Sequence, residues 1–189
     1  SWRGLSLSKL RRHPHGIDLG PLMPRLPKAL RTPDRKIDLA PAIILERWNE
    51  VMREPPEAEA ADSFSLIGRR NLRDNNSWMH NSQRLVKGRN RCTLMMHPSD
   101  AERLKLSSET PVQVKSSVGT IELPLEITDA IMPGVVSIPH GYGHDRQGTT
   151  QGIANEHPGA SINDLTSEQE IDRLTGNAAF SGQRVAISQ

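Results

Sequence analysis

Val112-Gln-Val-Lys-Ser-Ser-Val-Gly119-Thr-Ile-Glu-Leu-Pro-Leu-Glu-Ile-Thr128 is the stretch that decides the fold class. After Gly119, Ile121, Leu123, Leu125 and Ile127 point one way, while Glu122, Pro124 and Glu126 point the other. That period of two is a half-buried strand. Val112–Val118 precedes it across a glycine, so the two segments read as a hairpin. Pro124 has no N–H to give and should face an unpaired side or a bulge.

Outward from this hairpin the pattern stays β-rich. Phe64-Ser-Leu-Ile67, the alternation of Cys92, Leu94 and Met96, Val135–Ile138 and Val185–Ile187 supply further short strands. Ser99 and Glu102 have capping-box spacing, which opens a short helix running through Leu104. Short strands, small helices and polar loops indicate a mainly β chain built as a barrel. Upstream the character changes. Eight of the fourteen prolines lie at 14, 21, 24, 27, 33, 41, 55 and 56. That density implies an irregular extension over 1–60, interrupted by one helix from Pro41 to Met52, ahead of a domain at 61–189. Pro55-Pro56 followed by Glu57-Ala-Glu-Ala-Ala reads as a linker.

Composition excludes several classes. With 24 Lys and Arg against 22 Asp and Glu, no overall field favours a nucleic-acid track. The distribution is uneven: residues 61–92 hold seven cationic side chains against Asp62 and Asp74, and the rest of the domain is acidic. A local anion site fits this better than a long groove. One cysteine forbids an intrachain disulfide and suits a cytoplasmic protein. Cys92 lies on the apolar face of its strand and reads as a buried core residue. No apolar run is long enough to span a bilayer. The start at Ser1-Trp2-Arg3, without methionine, reads as part of a longer protein.

The polar segment Gly68-Arg-Arg-Asn-Leu-Arg-Asp-Asn-Asn-Ser-Trp-Met-His-Asn81 carries most of the functional signal. Arg forks suit phosphate oxygens, Asn amides suit the edge of a fused heterocycle, and Trp78 can stack or anchor. A solvated basic loop with Asn-rich turns would have the same composition. A second cluster is Ile138-Pro-His-Gly-Tyr-Gly-His144. His140 and His144 are four apart, which would chelate zinc on a helix, but Pro139 and the glycines argue against one, and no third ligand stands nearby. Turn histidines and ligand contacts both remain open there. Ser161-Ile-Asn-Asp-Leu-Thr166 reads equally as cap chemistry or as a third contact. No nucleophile–base pair, carboxylate pair or metal cluster is legible, so no catalytic or metal-ligating residue is assigned.

In order and spacing these segments resemble the C-terminal domain of the molybdopterin oxidoreductases, which include formate dehydrogenases, nitrate reductases and dimethyl sulfoxide reductases. The resemblance rests on Gly68-Arg-Arg…Asn76-Ser-Trp-Met-His-Asn81, His97-Pro-Ser-Asp-Ala-Glu, Pro139-His-Gly-Tyr-Gly-His144 and Asn163-Asp-Leu-Thr166…Gly176-Asn177. It implies a double-psi β-barrel of the aspartate-decarboxylase type closing over a molybdopterin guanine dinucleotide that carries molybdenum or tungsten. By position it places Arg69, Arg70, Asn76, Ser77, Trp78, His80 and Asn81 against the cofactor, His140 and Gly141 in a second contact loop, and Asn163 with Asp164 in a third. In that family the metal ligand and any iron–sulfur cysteines lie in N-terminal parts of the full enzyme. The implied partners are therefore those domains and electron-transfer subunits, with no nucleic acid and no membrane segment. Two rival readings are a double-psi barrel that binds peptide and, with only Trp78 among its cations, a single-stranded nucleic-acid binder.

Overall fold

A computed structural model describes residues 4–54, 62–108, 110–172 and 174–189. The chain divides into two compact units, Ser1–Glu54 and Pro55–Gln189. The expected linker at 55–61 lies outside the described residues.

The first unit is mostly turns. Its helices are α1 (Leu7–Arg11), which the sequence reading did not anticipate, and α2 (Ala42–Val51). Ser6 caps α1, its Oγ accepting from the Lys9 amide at 3.1 Å. Pro41 starts α2, where an N–H would have no partner anyway. Neither helix holds a buried residue.

The second unit contains β1 (Phe64–Arg69), α3 (Gln83–Val86), β2 (Leu94–Met96), α4 (Pro98–Leu104), β3 (Pro111–Lys115), β4 (Thr120–Ile127), β5 (Val135–Pro139), α5 (Gly152–Glu156), a 3-10 turn (Ile162–Leu165) and β6 (Gln183–Ser188). The strands close in the order β1-β5-β2-β4-β3-β6. β1 runs parallel to β5 and β2 parallel to β4, and antiparallel neighbours join these pairs into a double-psi β-barrel. Alternate residues of the strands, among them Leu66, Leu94, Val114, Leu123, Ile138 and Val185, fill the interior and are buried. Each contributes roughly 1.5–3 kcal/mol of hydrophobic burial.

The expected hairpin is the β3–β4 pair, and Pro124 stands opposite Pro111, so two residues without N–H groups share one rung. The helix near 99 differs from expectation. Its cap is His97, whose Nδ1 accepts from the Ser99 amide at 3.2 Å, with Pro98 opening the first turn. The helix thus begins ahead of Ser99, because an imidazole acceptor followed by proline does the capping work expected of a serine. The capping-box spacing instead leaves Asp100 facing inward, where its carboxylate accepts from the Gly134 amide at 2.7 Å and ties α4 to the turn before β5.

Candidate functional site

Because β1 and β5 are parallel neighbours, with Arg69 opposite Pro139, both deliver their following loops to the same end of the barrel. The first loop, residues 70–82, is a succession of turns in which Asn75 and Asn76 take positive φ, tolerable for Asn and awkward for most residues. The second begins at His140, whose amide donates to the Arg69 carbonyl at 3.1 Å. Between them, and bordered by Asn163, Phe180 and Ser181, lies a cleft of about 690 Å³.

Two glycines make the cleft possible. A Cβ on Gly68 would fall 1.9 Å from His140 Nε2. Gly141 has φ +91°, and a Cβ there would lie 2.4 Å from the Asn76 carbonyl oxygen. The His140 ring packs on Phe180 at 4.7 Å between centroids, which holds it over Gly68. Burial, and then the charge of Arg70, push the His140 imidazole below its ordinary pKa. It therefore offers one N–H and one lone pair at neutral pH. Arg70 is exposed on the cleft wall, and among the described residues no carboxylate pairs with it. The wall thus combines this cation, two carboxamides, the hydroxyls of Ser77 and Ser181, and glycine backbone. That donor set fits a phosphate-bearing heterocyclic ligand.

Arg70, Asn76, Ser77, His140, Gly141 and Asn163 come together here. The other candidates lie elsewhere. The Arg69 guanidinium turns into the barrel wall, donating to the carbonyls of Ser137 (2.6 Å), Thr93 (2.8 Å) and Arg91 (3.2 Å) and to Thr93 Oγ1 (2.7 Å). Trp78 is 82% exposed. Asn81 Oδ1 accepts from the amides of Ile153 (3.1 Å) and Ala154 (3.3 Å) and so caps α5 from outside. Asp164 pairs with Arg146. His80 is buried beneath the loop.

Beneath the loop also lies what the sequence reading missed. Asp74 is 1% exposed. It accepts from Arg91 (Nη2 3.0 Å, Nε 3.3 Å) and from the Tyr142 hydroxyl (3.1 Å). Burial first, and then Asp74, push the Tyr142 phenol upward. His80 Nδ1 lies 2.7 Å from His144 Nε2. The signal available in sequence was an acid inside an otherwise cationic loop. A smaller cavity of about 310 Å³ behind the loop is bordered by Arg89, Arg91 and Glu156. There Arg91 is neutralised by Asp74 and Arg89 stands 3.6 Å from Glu126, so it lacks the free cation of the main cleft. Cys92 is buried as expected; its thiol lies against the backbone of Ala160, and burial pushes its pKa up. Among the described residues no group of three His, Cys, Asp or Glu side chains could hold a metal ion.

Residues 64–184 match the Molydopterin dinucleotide binding domain family, a span that takes in β1 to β5, the start of β6 and all three loops around the cleft. The chain belongs to that family. Relatives that share this similarity are larger proteins. A tetrathionate reductase of Salmonella typhimurium is 32% identical over 79 residues, covering 37% of this chain and 8% of that protein. ArrA, the molybdopterin-containing part of the arsenate respiratory reductase of Chrysiogenes arsenatis, is 26% identical, covering 66% and 16%. The probable oxidoreductase YoaE of Bacillus subtilis is 26% identical, covering 88% and 23%. The chain therefore spans less than a quarter of the length of these relatives. Acetylene hydratase from Pelobacter acetylenicus shares the fold, with a TM-score of 0.58 at 20% identity over 67% of this chain and 18% of that one. In this domain, among the described residues, the cleft between the β1 and β5 loops is where an unpaired cation, glycine backbone and carboxamides converge. No helix among the described residues is long and apolar enough to cross a membrane.

Proposed function

We propose that this chain is the cofactor-binding portion of a molybdenum or tungsten oxidoreductase and holds the pterin guanine dinucleotide without catalysing a reaction by itself. The observation that carries this reading is Arg70, with no carboxylate partner among the described residues, on the wall of a cleft whose depth depends on Gly68 and Gly141. Arg70 would hold pyrophosphate oxygens by charge-assisted bonds. Asn76, Ser77 and Asn163 would hydrogen-bond the polar edges of the rings, and neutral His140 would offer a donor and an acceptor in fixed orientation. The bound group would supply the redox chemistry, and this chain its orientation and charge balance. The metal ligand, any iron–sulfur cluster, the N-terminal domains and electron-transfer subunits would lie on the remaining parts of such an enzyme.

The test is a heteronuclear NMR titration of the chain with GDP, which carries a guanine and a pyrophosphate. Shifts confined to 68–82, 138–144 and 161–166 are expected. Arg70→Ala should weaken binding by roughly 1.5–3 kcal/mol, as for a charge-assisted bond. If a peptide or single-stranded oligonucleotide shifts these loops and GDP does not, the cofactor reading falls.

A further inference from the structure

The two loops that wall the cleft touch through a contact the cofactor reading does not use. His80 belongs to the first loop and His144 to the second. Both rings are nearly out of solvent, at 2% and 9% exposure, with Nδ1 of the first 2.7 Å from Nε2 of the second. At that separation one hydrogen, and only one, sits between the nitrogens. The backbone of the second loop is anchored on its far side, where the amides of Gly143 and His144 donate to the Pro158 carbonyl at 2.8 and 3.2 Å. The imidazole pair is therefore a side-chain tie from this loop to the first, beside the Tyr142 hydroxyl that donates to Asp74 at 3.1 Å.

We propose that His80 and His144 are positioning residues forming a one-proton latch: a single N–H held between them sets the separation of the cleft loops.

The surrounding charges decide which ring supplies that hydrogen. His80 Nε2 is fully buried and among the described residues makes no hydrogen bond of normal geometry, but it lies 3.6 Å from Asp74 Oδ1, and the Gly141 backbone beside the ring also favours its protonated form. A lone pair aimed at a carboxylate is repelled, whereas an N–H there is attracted. His80 therefore carries its proton on Nε2, its Nδ1 accepts, and His144 Nε2 donates. Arg91, paired with the same carboxylate, opposes charge on His80; Tyr142 donates to Asp74 and packs against the His80 ring at 4.3 Å. His144 faces Asp145, which favours its charged form, and His80, which opposes it. The first added proton can rest on His144 Nδ1 and leaves the shared hydrogen in place. A second puts an N–H on each facing nitrogen, and at 2.7 Å those two donors exclude each other. Burial holds both imidazoles below their ordinary pKa, so the latch is closed at neutral pH and opens only on acidification.

The spacing has its own reporter. A Cβ on Gly141 would sit 2.8 Å from the Ser77 amide nitrogen, so a Gly141 α-proton is close to that amide when the loops are together. The experiment is NMR on the full chain, reading the through-bond coupling between His80 Nδ1 and His144 Nε2 and the Gly141–Ser77 proton contact as pH is lowered. Both are expected at neutral pH, and both should vanish at one midpoint while Leu66 and Leu94 in the barrel keep their shifts. His144→Gln offers a donor to His80 Nδ1 and, once that nitrogen is protonated, can turn its amide to accept from it, so its Gly141–Ser77 contact should persist in acid. His144→Leu should lack the contact at every pH. Absence of the coupling at neutral pH, survival of the loop contact after the coupling is lost, or wild-type pH dependence in His144→Gln would each overturn the latch. If His144→Leu does not fold, the wild-type and Gln arms still decide.

The consequence for ligand grip rests on reading the cleft as a dinucleotide site. The GDP dissociation constant should rise about tenfold in His144→Leu, as for one lost buried hydrogen bond. An unchanged constant in a variant that has lost the loop contact overturns this consequence. A GDP titration silent for every variant, with peptide or single-stranded oligonucleotide shifting the loops, removes the cofactor reading instead, with the coupling still reporting on the latch.

Discussion

The barrel and the loops at its end are held together by different physics. Leu66, Leu94 and Ile138 are packed among other apolar side chains and carry no charge that water could reclaim. A few residues away, Asp74, His80 and His144 are buried and Arg91 and Tyr142 half-buried, yet every one is polar. Burying them is tolerable because hydrogen bonds and the Asp74–Arg91 ion pair replace most of the lost water, His80 Nε2 being left with only the Asp74 carboxylate 3.6 Å away. The barrel should therefore be sensitive to shape and indifferent to pH, and the loops the reverse. A scaffold of the first kind can carry a site of the second kind because its strand ends fix where the loops begin.

The largest effect should come from the barrel side. Leu94→Ala removes most of a fully buried side chain and should cost roughly 2–5 kcal/mol, read as a lower urea midpoint with an unchanged slope. Asp74→Asn should cost less, roughly 1–3 kcal/mol, by leaving Arg91 without its counter-charge. Amide exchange should then quicken in residues 70–82 before it does in β1. Equal acceleration in both would erase the distinction between the regions.

Acidification tests the distinction without a mutation. His80, His140 and His144 all have folded pKa values lowered, chiefly by burial, from the ordinary 6.5. The unfolded chain therefore binds more protons than the folded one in the window below that value. Stability should fall as pH drops from 6.5 toward the folded pKa values and then level off. The check is the urea midpoint at several pH values between about 7 and 5. A flat profile would mean that the rings are hydrated. The smallest effect should be Trp78→Ala. At 82% exposure, this side chain should change stability by no more than about 0.5 kcal/mol. A larger loss would make it a structural anchor of its loop.

Much of this was legible before any coordinates. The alternation of Ile121, Leu123 and Leu125 announced β4, and the polarity of 68–81 marked the loop that follows β1. Arg69 and Arg70 show the limit. As neighbours of the same type they read alike, but one turns into the wall to serve four acceptors and the other faces the cleft. Which of two adjacent arginines faces the cleft depends on strand parity and on where β1 ends, one residue before Arg70. His80 and His144, 64 positions apart, could not be paired from spacing at all.

The amino-acid sequence alone determined that this is a β-rich chain with a donor-rich loop suited to an anionic heterocycle, because local periodicity and side-chain chemistry are properties of neighbours in the chain. Only the tertiary structure decided which donors converge. Convergence depends on the parallel pairing of β1 with β5, on the absence of side chains at Gly68 and Gly141, and on a buried polar network between segments far apart in sequence.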